Sequence, residues 1–402
     1  MSAALEIAAP VSRRRVFGVA CVTHALHDGY TDLIYVLLPI WQHEFGLGFA
    51  ALGVLRMLYT GAMASLQIPA SLAARSLGAV AVLALGTLLA AAAYLVVGLS
   101  GAGFALLAIA LVVGGAGSAT QHPLASALVS RAYEGASARS VLGTYNFAGD
   151  VGKMVIPAAL ASMLAIMSWR HALGLVGAAG VVLSVAIVAL LPSRLGSVAE
   201  VEARSAGQHE HTVPHSLGFR LLLVIGIIDS ATRMGFLAFL PFVLKQKGGG
   251  FETIGLALSL IFAGGAAGKF VCGFLGARIG VLATVILTEG GTAAGILALY
   301  FLPLQASMVL LPLVGLALNG TSSVLYGTVP ELVATSQREK AFGIFYTGTI
   351  GGGAVAPVIY GALGDQIGPI HAIGVVAIVC LATIPLAVIL NPYLAPRRHR
   401  VA

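Results

Sequence analysis

Ionisable residues recur inside an otherwise greasy stretch of this chain, HALHDGYTDLIYVLLPIW, from His24 to Trp41. His24, His27, Asp28, Thr31 and Asp32 are spaced three and four apart, which places them on one face of a helix. A charge at the centre of a bilayer costs on the order of 2.5–3.5 kcal/mol on insertion scales, so such groups face a partner or a wet cavity. A carboxyl beside imidazoles changes its proton affinity when its surroundings alternate between wet and dry, and can thereby load and release protons. Asp28, His24, His27 and Asp32 are therefore the candidate proton-coupling set.

Further groups suited to holding a solute follow. His122 precedes Pro123, and Gly143 to Pro157 reads GTYNFAGDVGKMVIP, with Tyr145 and Asn146 about one helical turn before Asp150 and Lys153. Asp150 and Lys153, three apart, can pair with each other, either as a structural clamp or with Lys153 released to an anion. Asp229 and Arg233, four apart, repeat the acid-and-base arrangement, and Lys269 and Glu289 stand alone in apolar surroundings. Lys153, Arg233, Lys269 and the histidines would present positive potential to an anionic solute. His122, Tyr145, Asn146, Asp150, Lys153, Asp229, Arg233 and Lys269 form the candidate substrate-binding set.

The elements that must position these groups follow from composition. The 402 residues are 58% hydrophobic and 9% charged, against about 25% charged in soluble domains, so the chain is a polytopic membrane protein. Apolar runs long enough to span cover 16–40, 50–73, 79–98, 102–130, 139–165 and 171–191, then 218–244, 253–276, 280–302, 306–330, 341–363 and 371–391. Two six-helix bundles, 1–191 and 217–402, are expected around a polar linker, 192–216. Fifteen of the 22 Lys and Arg fall on the side of the N-terminus, three on the other and four within spans. Both termini and the linker are therefore expected to be cytoplasmic, in a bacterial inner membrane. The basic SRRRVF from Ser12 to Phe17 runs straight into the first span without a small-residue cleavage site, so it is expected to be retained.

The halves echo each other. Gly143 to Pro157 aligns with GIFYTGTIGGGAVAP from Gly343 to Pro357, LLPIW at Leu37 with FLPFV at Phe239, and SLAARSLG from Ser71 with GFLGARIG from Gly273. Internal repeats of this kind mark transporter folds. Twelve spans in two related halves resemble the major facilitator superfamily. Its loop signature, G-x-x-x-D-R-x-G, is partly present: Ser71 stands for the first Gly, Arg75 for the Asp and Ser76 for the Arg, with Gly78 kept, and the second-half copy keeps Gly273, Arg278 and Gly280 with Ala277 for the Asp. The resemblance assigns Arg75, Gly78, Arg278 and Gly280 to a cytoplasmic gate. Within the superfamily, the His24 to Trp41 stretch, SATQHPLASALVSRA from Ser118 and the glycine-rich fifth span resemble the fosmidomycin resistance branch, which implies proton-coupled export of small, often anionic compounds.

The expected fold is thus all-α, a twelve-helix major facilitator architecture in two pseudo-symmetric bundles. The expected function is secondary active transport: export of a small organic compound or drug by alternating access, in exchange for protons. A proton-coupled importer of a nutrient or organic acid is the second reading. A membrane enzyme or sensor is the third, and neither a nucleophile–base or HExxH pattern nor a soluble output domain stands in the sequence. GGAAGKF at Gly264 has one residue too few between its glycines for a phosphate loop and ends in Phe. Cys21, Cys272 and Cys380 lack metal-ligand spacing, and HEHTVPH from His209 to His215 is read as unspecific, so no cofactor and no metal site are expected. The expected partners are the small-molecule substrate, protons and the lipid bilayer, with the chain acting as a monomer. The net charge of +7 reflects topology rather than nucleic-acid binding.

Overall fold

A computed structural model describes residues 12–101, 103–133, 136–192, 217–334 and 337–394. The first bundle comprises α1 (Arg13–Phe45), α2 (Phe49–Ser65), α3 (Gln67–Leu77), α4 (Ala79–Leu99), α5 (Phe104–Ser118), α6 (Gln121–Ala132), α7 (Ala136–Met163) and α8 (Trp169–Leu190). The second comprises α9 (Leu217–Gln246), α10 (Phe251–Ile279), α11 (Val281–Phe301), α12 (Leu304–Thr328), α13 (Arg338–Ile367), α14 (Pro369–Leu381) and α15 (Thr383–Leu390). In hydrocarbon every backbone polar group needs an internal partner, which makes helices the outcome of such long apolar runs. Nearly all of the expected linker, 193–216, and with it the His209 to His215 cluster, lies outside the described residues.

Nine helical stretches among the described residues are long and apolar enough to cross a membrane, ten when the bent pair α2–α3 is taken together. The remaining two, α1 with 33 residues and α7 with 28, carry Asp28, Asp32, Asp150 and Lys153. Together they make twelve spans, and the two least apolar hold most of the chemistry.

Three spans expected to be continuous are interrupted: the second at Leu66, with a 46° bend, the fourth at Ala119–Thr120 and the twelfth at Ala382. Each break directly follows the residue four before a proline, or includes it: Ser65 before Pro69, Ala119 before Pro123 and Leu381 before Pro385. A proline ring clashes with the carbonyl four residues back and removes a helical hydrogen bond, which accounts for all three positions. Pro39, Pro157, Pro241, Pro312 and Pro357 lie within unbroken helices, so proline is here a necessary rather than a sufficient cause.

The two bundles pack by the same plan. α1 lies along α7, α2 along α5 and α4 along α8; correspondingly α9 lies along α13, α10 along α12 and α11 along α14. The tight loops also correspond, with Gly78 (φ 88°, ψ 143°) and Gly280 (φ 90°, ψ 167°) in a region closed to residues with a Cβ. Between bundles α2 packs on α13 and α7 on α10. Glycines allow this approach: a Cβ on Gly53 would meet the Pro357 carbonyl, and one on Gly361 the Phe49 carbonyl.

The inter-bundle contacts concentrate on the side away from the termini. There the Asp365 carboxylate, at the end of α13, accepts from the first two amides of α2, Phe49 (2.5 Å) and Ala50 (3.0 Å). It thus satisfies orphan N–H groups and opposes the positive end of the helix dipole. Beside it, Phe49 stacks edge-on to Phe242 and against Phe239, with centroids 5.0 and 5.5 Å apart. Replacing a carboxylate cap by Ala costs about 1 kcal/mol, roughly a fivefold change in a two-state population. Asp365→Ala is therefore expected to lengthen the distance between spin labels at His43 and Gln366 in a larger fraction of molecules, read by pulsed electron resonance; an unchanged distribution would refute the latch.

Candidate functional site

A cavity of about 710 Å³ lies between the bundles. Repeat-related positions line it. On α7, Asn146, Asp150 and Lys153 occupy the wall; 200 positions on, Tyr346, Ile350 and Gly353 of α13 occupy it too. On α1 the wall takes Asp28, Thr31 and Asp32, and on α9 it takes Ser230, Arg233 and Met234. The first bundle thus supplies most of the charge, and the second mainly small, aromatic and apolar groups with Arg233 and Lys269. Toward the side of the termini the wall continues to Ser130, Asn146 and Tyr346, which are exposed.

The charges form a connected array. Asp28 lies 3.2 Å from Lys153 Nζ through Oδ2, while its Oδ1 lies 3.5 Å from His24 Nε2 and 3.7 Å from His122 Nε2. Lys153 reaches Asp150 at 4.0 Å, and Asp150 accepts twice from Lys269 of the other bundle, at 2.6 and 2.8 Å. Asp32 meets Arg56 Nη2 at 3.4 Å, and the Arg56 guanidinium lies over the Tyr35 ring, 4.6 Å from its centroid. Such a cation–π contact contributes roughly 0.5–2 kcal/mol when desolvated. Arg233 makes no ion pair among the described residues, and its Nε is buried without a hydrogen-bond partner. Four cations therefore face three carboxylates, leaving one positive charge in excess at the wall.

Several expected roles are relocated. Asp150 and Lys153 are not a closed pair: Lys153 is nearer Asp28, and Asp150 is held by Lys269. The i,i+3 spacing permits a contact, but Asp28 comes closer because α7 lies against α1, where Gly152 abuts the Ala25 carbonyl. His27 turns away from the cavity, with Nδ1 3.2 Å from Ser118 Oγ and Nε2 3.0 Å from Thr87 Oγ1. His24 is buried behind Asp28, with Tyr145 stacked on it at 4.3 Å. The Tyr145 side chain is itself buried, and its hydroxyl accepts from Gln121 at 3.3 Å, so it does not reach the cavity wall.

Asp229 and Arg233 likewise diverge. Asp229 is buried off the wall toward Glu289, whose carboxylate accepts from the Cys380 thiol at 2.9 Å. Glu289 is off the central cavity. His122 and Asn146 are on the wall. Arg75 and Arg278 are exposed at the side of the termini, the latter over the Phe274 ring at 4.9 Å, next to the turn glycines Gly78 and Gly280.

Sequence reasoning gave no site role to Arg56, Asn319, Tyr326, Tyr346 and Thr349, all on the cavity wall. For Arg56 the signal was available, since a lone cation inside an apolar run needs an acid, and Asp32 was the acid without a partner. Polar but uncharged residues in helices carry no comparable signal.

A sequence profile of the Major Facilitator Superfamily matches residues 20–220 and again 222–402. A search of curated proteins finds no match. Among solved structures, a bacterial homologue of the human lysosomal transporter Spinster is similar in two states. Its inward-facing, unoccupied form aligns with a TM-score of 0.73 at 18% identity, over 96% of each chain. The inward-facing, occupied form aligns at 0.73 and 16% identity, over 96% of this chain and 97% of that one.

Removing one partner of a buried ion pair strands the other charge. With the Lys153 side chain 28% exposed, Lys153→Met is expected to destabilise by roughly 3 kcal/mol, the lower end of the buried range. The Asp28→Asn/Lys153→Met double variant should recover part of that loss, because the two sites share one interaction. Thermal unfolding in detergent measures both, and strictly additive losses would exclude the pairing.

Proposed function

Because the chain belongs to the major facilitator superfamily and is a multi-pass membrane transporter rather than an enzyme, we propose that it exports a small organic anion in exchange for protons. The observation that carries this reading is the cavity wall itself: one cation in excess, an Arg233 with no ion-pair partner among the described residues, and a carboxylate chain leading to Asp28. An anion entering the cavity finds Arg233 free and Lys153 and Lys269 held only by carboxylates. Each lysine serves either its carboxylate or the solute, so solute binding and protonation of Asp28 or Asp150 act on one another. Proton and anion occupancy are linked through the same lysines, so a proton gradient can act on the solute; the resemblance to the fosmidomycin resistance branch, rather than this linkage, is what favours exchange over co-transport.

The excess of Lys and Arg on the side of the termini supports a cytoplasmic assignment for that side, in a bacterial inner membrane. On that assignment the cavity opens inward, and the Asp365–Phe49 contacts close the outer side. Arg75, Gly78, Arg278 and Gly280 then belong to the cytoplasmic gate region, and the chain works as a monomer. The resemblance of the first, fourth and fifth spans to the fosmidomycin resistance branch supports export of a phosphonate-type or comparable anion. Asp28, with His24 behind it, carries the proton in this reading, and Asp32 is held back by Arg56.

Two measurements test it. In cells lacking their own pumps, this protein is expected to raise resistance to fosmidomycin or a related anionic antibiotic, and Asp28→Asn to abolish the gain. An Asp28→Asn protein that exports at the wild-type rate with unchanged pH dependence would remove its proton role. In proteoliposomes, Arg233→Gln is expected to raise KM for the anion about tenfold, in line with hydrogen bonds to charged groups worth roughly 1.5–3 kcal/mol, with little change for a neutral analogue. Equal effects on both would remove the anion role.

A further inference from the structure

We infer that His24, Asp28 and His122 form a binding site for one divalent transition-metal ion of the zinc class, open to the transport cavity. The inference does not depend on the anion reading, since it rests on three converging donor atoms and can be read without any transport assay.

His24 Nε2, Asp28 Oδ1 and one His122 ring nitrogen all lie within 4.8 Å of one another. Two edges of this triangle are 3.5 Å (His24–Asp28) and 3.7 Å (His122–Asp28). A tetrahedral ion with bonds of about 2.0–2.2 Å has ligand–ligand edges of roughly 3.3–3.6 Å, so these two edges already fit it, and the His24–His122 edge, within 4.8 Å, has to close by at most about 1.5 Å. His24 and Asp28 are one turn apart on α1, and His122 enters from the first turn of α6, just after the break that Pro123 imposes.

The tautomer of His24 is fixed by its surroundings. Nδ1 lies 2.9 Å from the Tyr145 carbonyl, which can only accept, so Nδ1 carries the hydrogen. This outer-shell bond to a backbone carbonyl is the one that metal-ligating histidines make. Nε2 then points its lone pair at the Asp28 carboxylate; His24 is 3% exposed and Nε2 has no hydrogen-bond partner. A proton on Nε2 would bridge His24 to Asp28, but it would not require a third donor. The convergence of His122 on the same carboxylate oxygen is what a metal ion requires and a shared proton does not.

Room for the ion is built in. A methyl group on Gly149 of α7 would sit 2.6 Å from Asp28 Oδ2 and 2.7 Å from His24 Nε2. Asp28 uses its other oxygen for Lys153, 3.2 Å away, which leaves Oδ1 for the ion. Asp28 and His122 both line the cavity, so the fourth coordination position faces it, where water or a donor atom of a solute completes the shell. All three ligands are among the site residues singled out from the sequence, but they come from α1 and α6 rather than from one short metal-binding motif.

The test uses the full chain with its purification tag removed and His209, His211 and His215 changed to Ala, so that the linker cannot bind metal. Titration with Zn²⁺ by calorimetry is expected to give one site per chain, and Co²⁺ to give the intense visible bands of a tetrahedral nitrogen–oxygen site. His122→Ala should weaken binding more than about tenfold, the loss that even an outer-shell change can cause. Gly149→Ala should weaken it comparably with all three ligands kept. Apo melting temperatures confirm that each variant is folded, and His122, with 42% of its side chain exposed, is the most exposed of the three ligands. Absence of binding, or one-to-one binding that folded His122→Ala retains in full, overturns the site.

Discussion

Three carboxylates placed at the middle of an apolar chain have to be neutralised without water, and much of the structure serves that requirement. Asp28, Asp32 and Asp150 take Lys153, Arg56 and Lys269 as their respective partners. Ionised groups removed from water lose several kcal/mol of solvation each, which only close counter-charges and hydrogen bonds restore. Delivering those counter-charges sets the helix packing. α7 leans on α1 through Gly149 and Gly152, and α10 brings Lys269 against α7 with Ser259 donating to the Met154 carbonyl at 2.6 Å. The Lys269–Asp150 pair is the only ion pair between bundles among the described residues, so the charge array is also part of what joins them.

Legibility from the sequence divides along a physical line. Whether a residue lies in a span, and whether its side chain can bear exposure to lipid, is decided by local chemistry, and Asp28, Asp32, Asp150, Lys153 and Lys269 were all identified on that basis. Which charge meets which is decided by how two helices cross, and spacing along one helix cannot reveal it. Asp150 and Lys153 look like a pair on paper, yet each has a nearer partner on another helix. His27 looks equivalent to His24, but a rotation of about 100° per residue turns it toward the hydroxyls of Ser118 and Thr87. The breaks three to four residues ahead of Pro69, Pro123 and Pro385 were readable in principle, since the clash is local. The unbroken helices around Pro157 and Pro357 show why a rule based on proline alone would have misfired.

Duplication explains the cavity's shape better than its chemistry. Corresponding residues of α7 and α13 face the same void, as do those of α1 and α9, so the two bundles inherited one geometry. The charges did not follow the repeat. Position 150 is Asp and position 350 is Ile; position 153 is Lys and position 353 is Gly. One bundle therefore carries most of the charge, and the other lends it Arg233, Lys269 and a smooth wall. A ligand bound between them is gripped unequally, and a rocking motion would shift it relative to its counter-charges.

That asymmetry bears on how the two ends of the molecule communicate. At the side away from the termini the bundles are joined by backbone approach at glycine, aromatic packing and the Asp365 cap, contacts that involve no residue of the cavity wall. Deeper in, they are joined by Lys269 and Asp150, a contact that does change when either charge finds another partner. Opening the side away from the termini requires the first set to part, while the second decides how firmly the bundles hold once it does. A solute or ion that draws Lys153 from Asp28 also changes the charge facing Asp150, 4.0 Å from that lysine, and thereby acts on the Lys269–Asp150 link between bundles. The same carboxylates that had to be neutralised for the chain to fold are thus placed where neutralising them differently changes the preferred conformation.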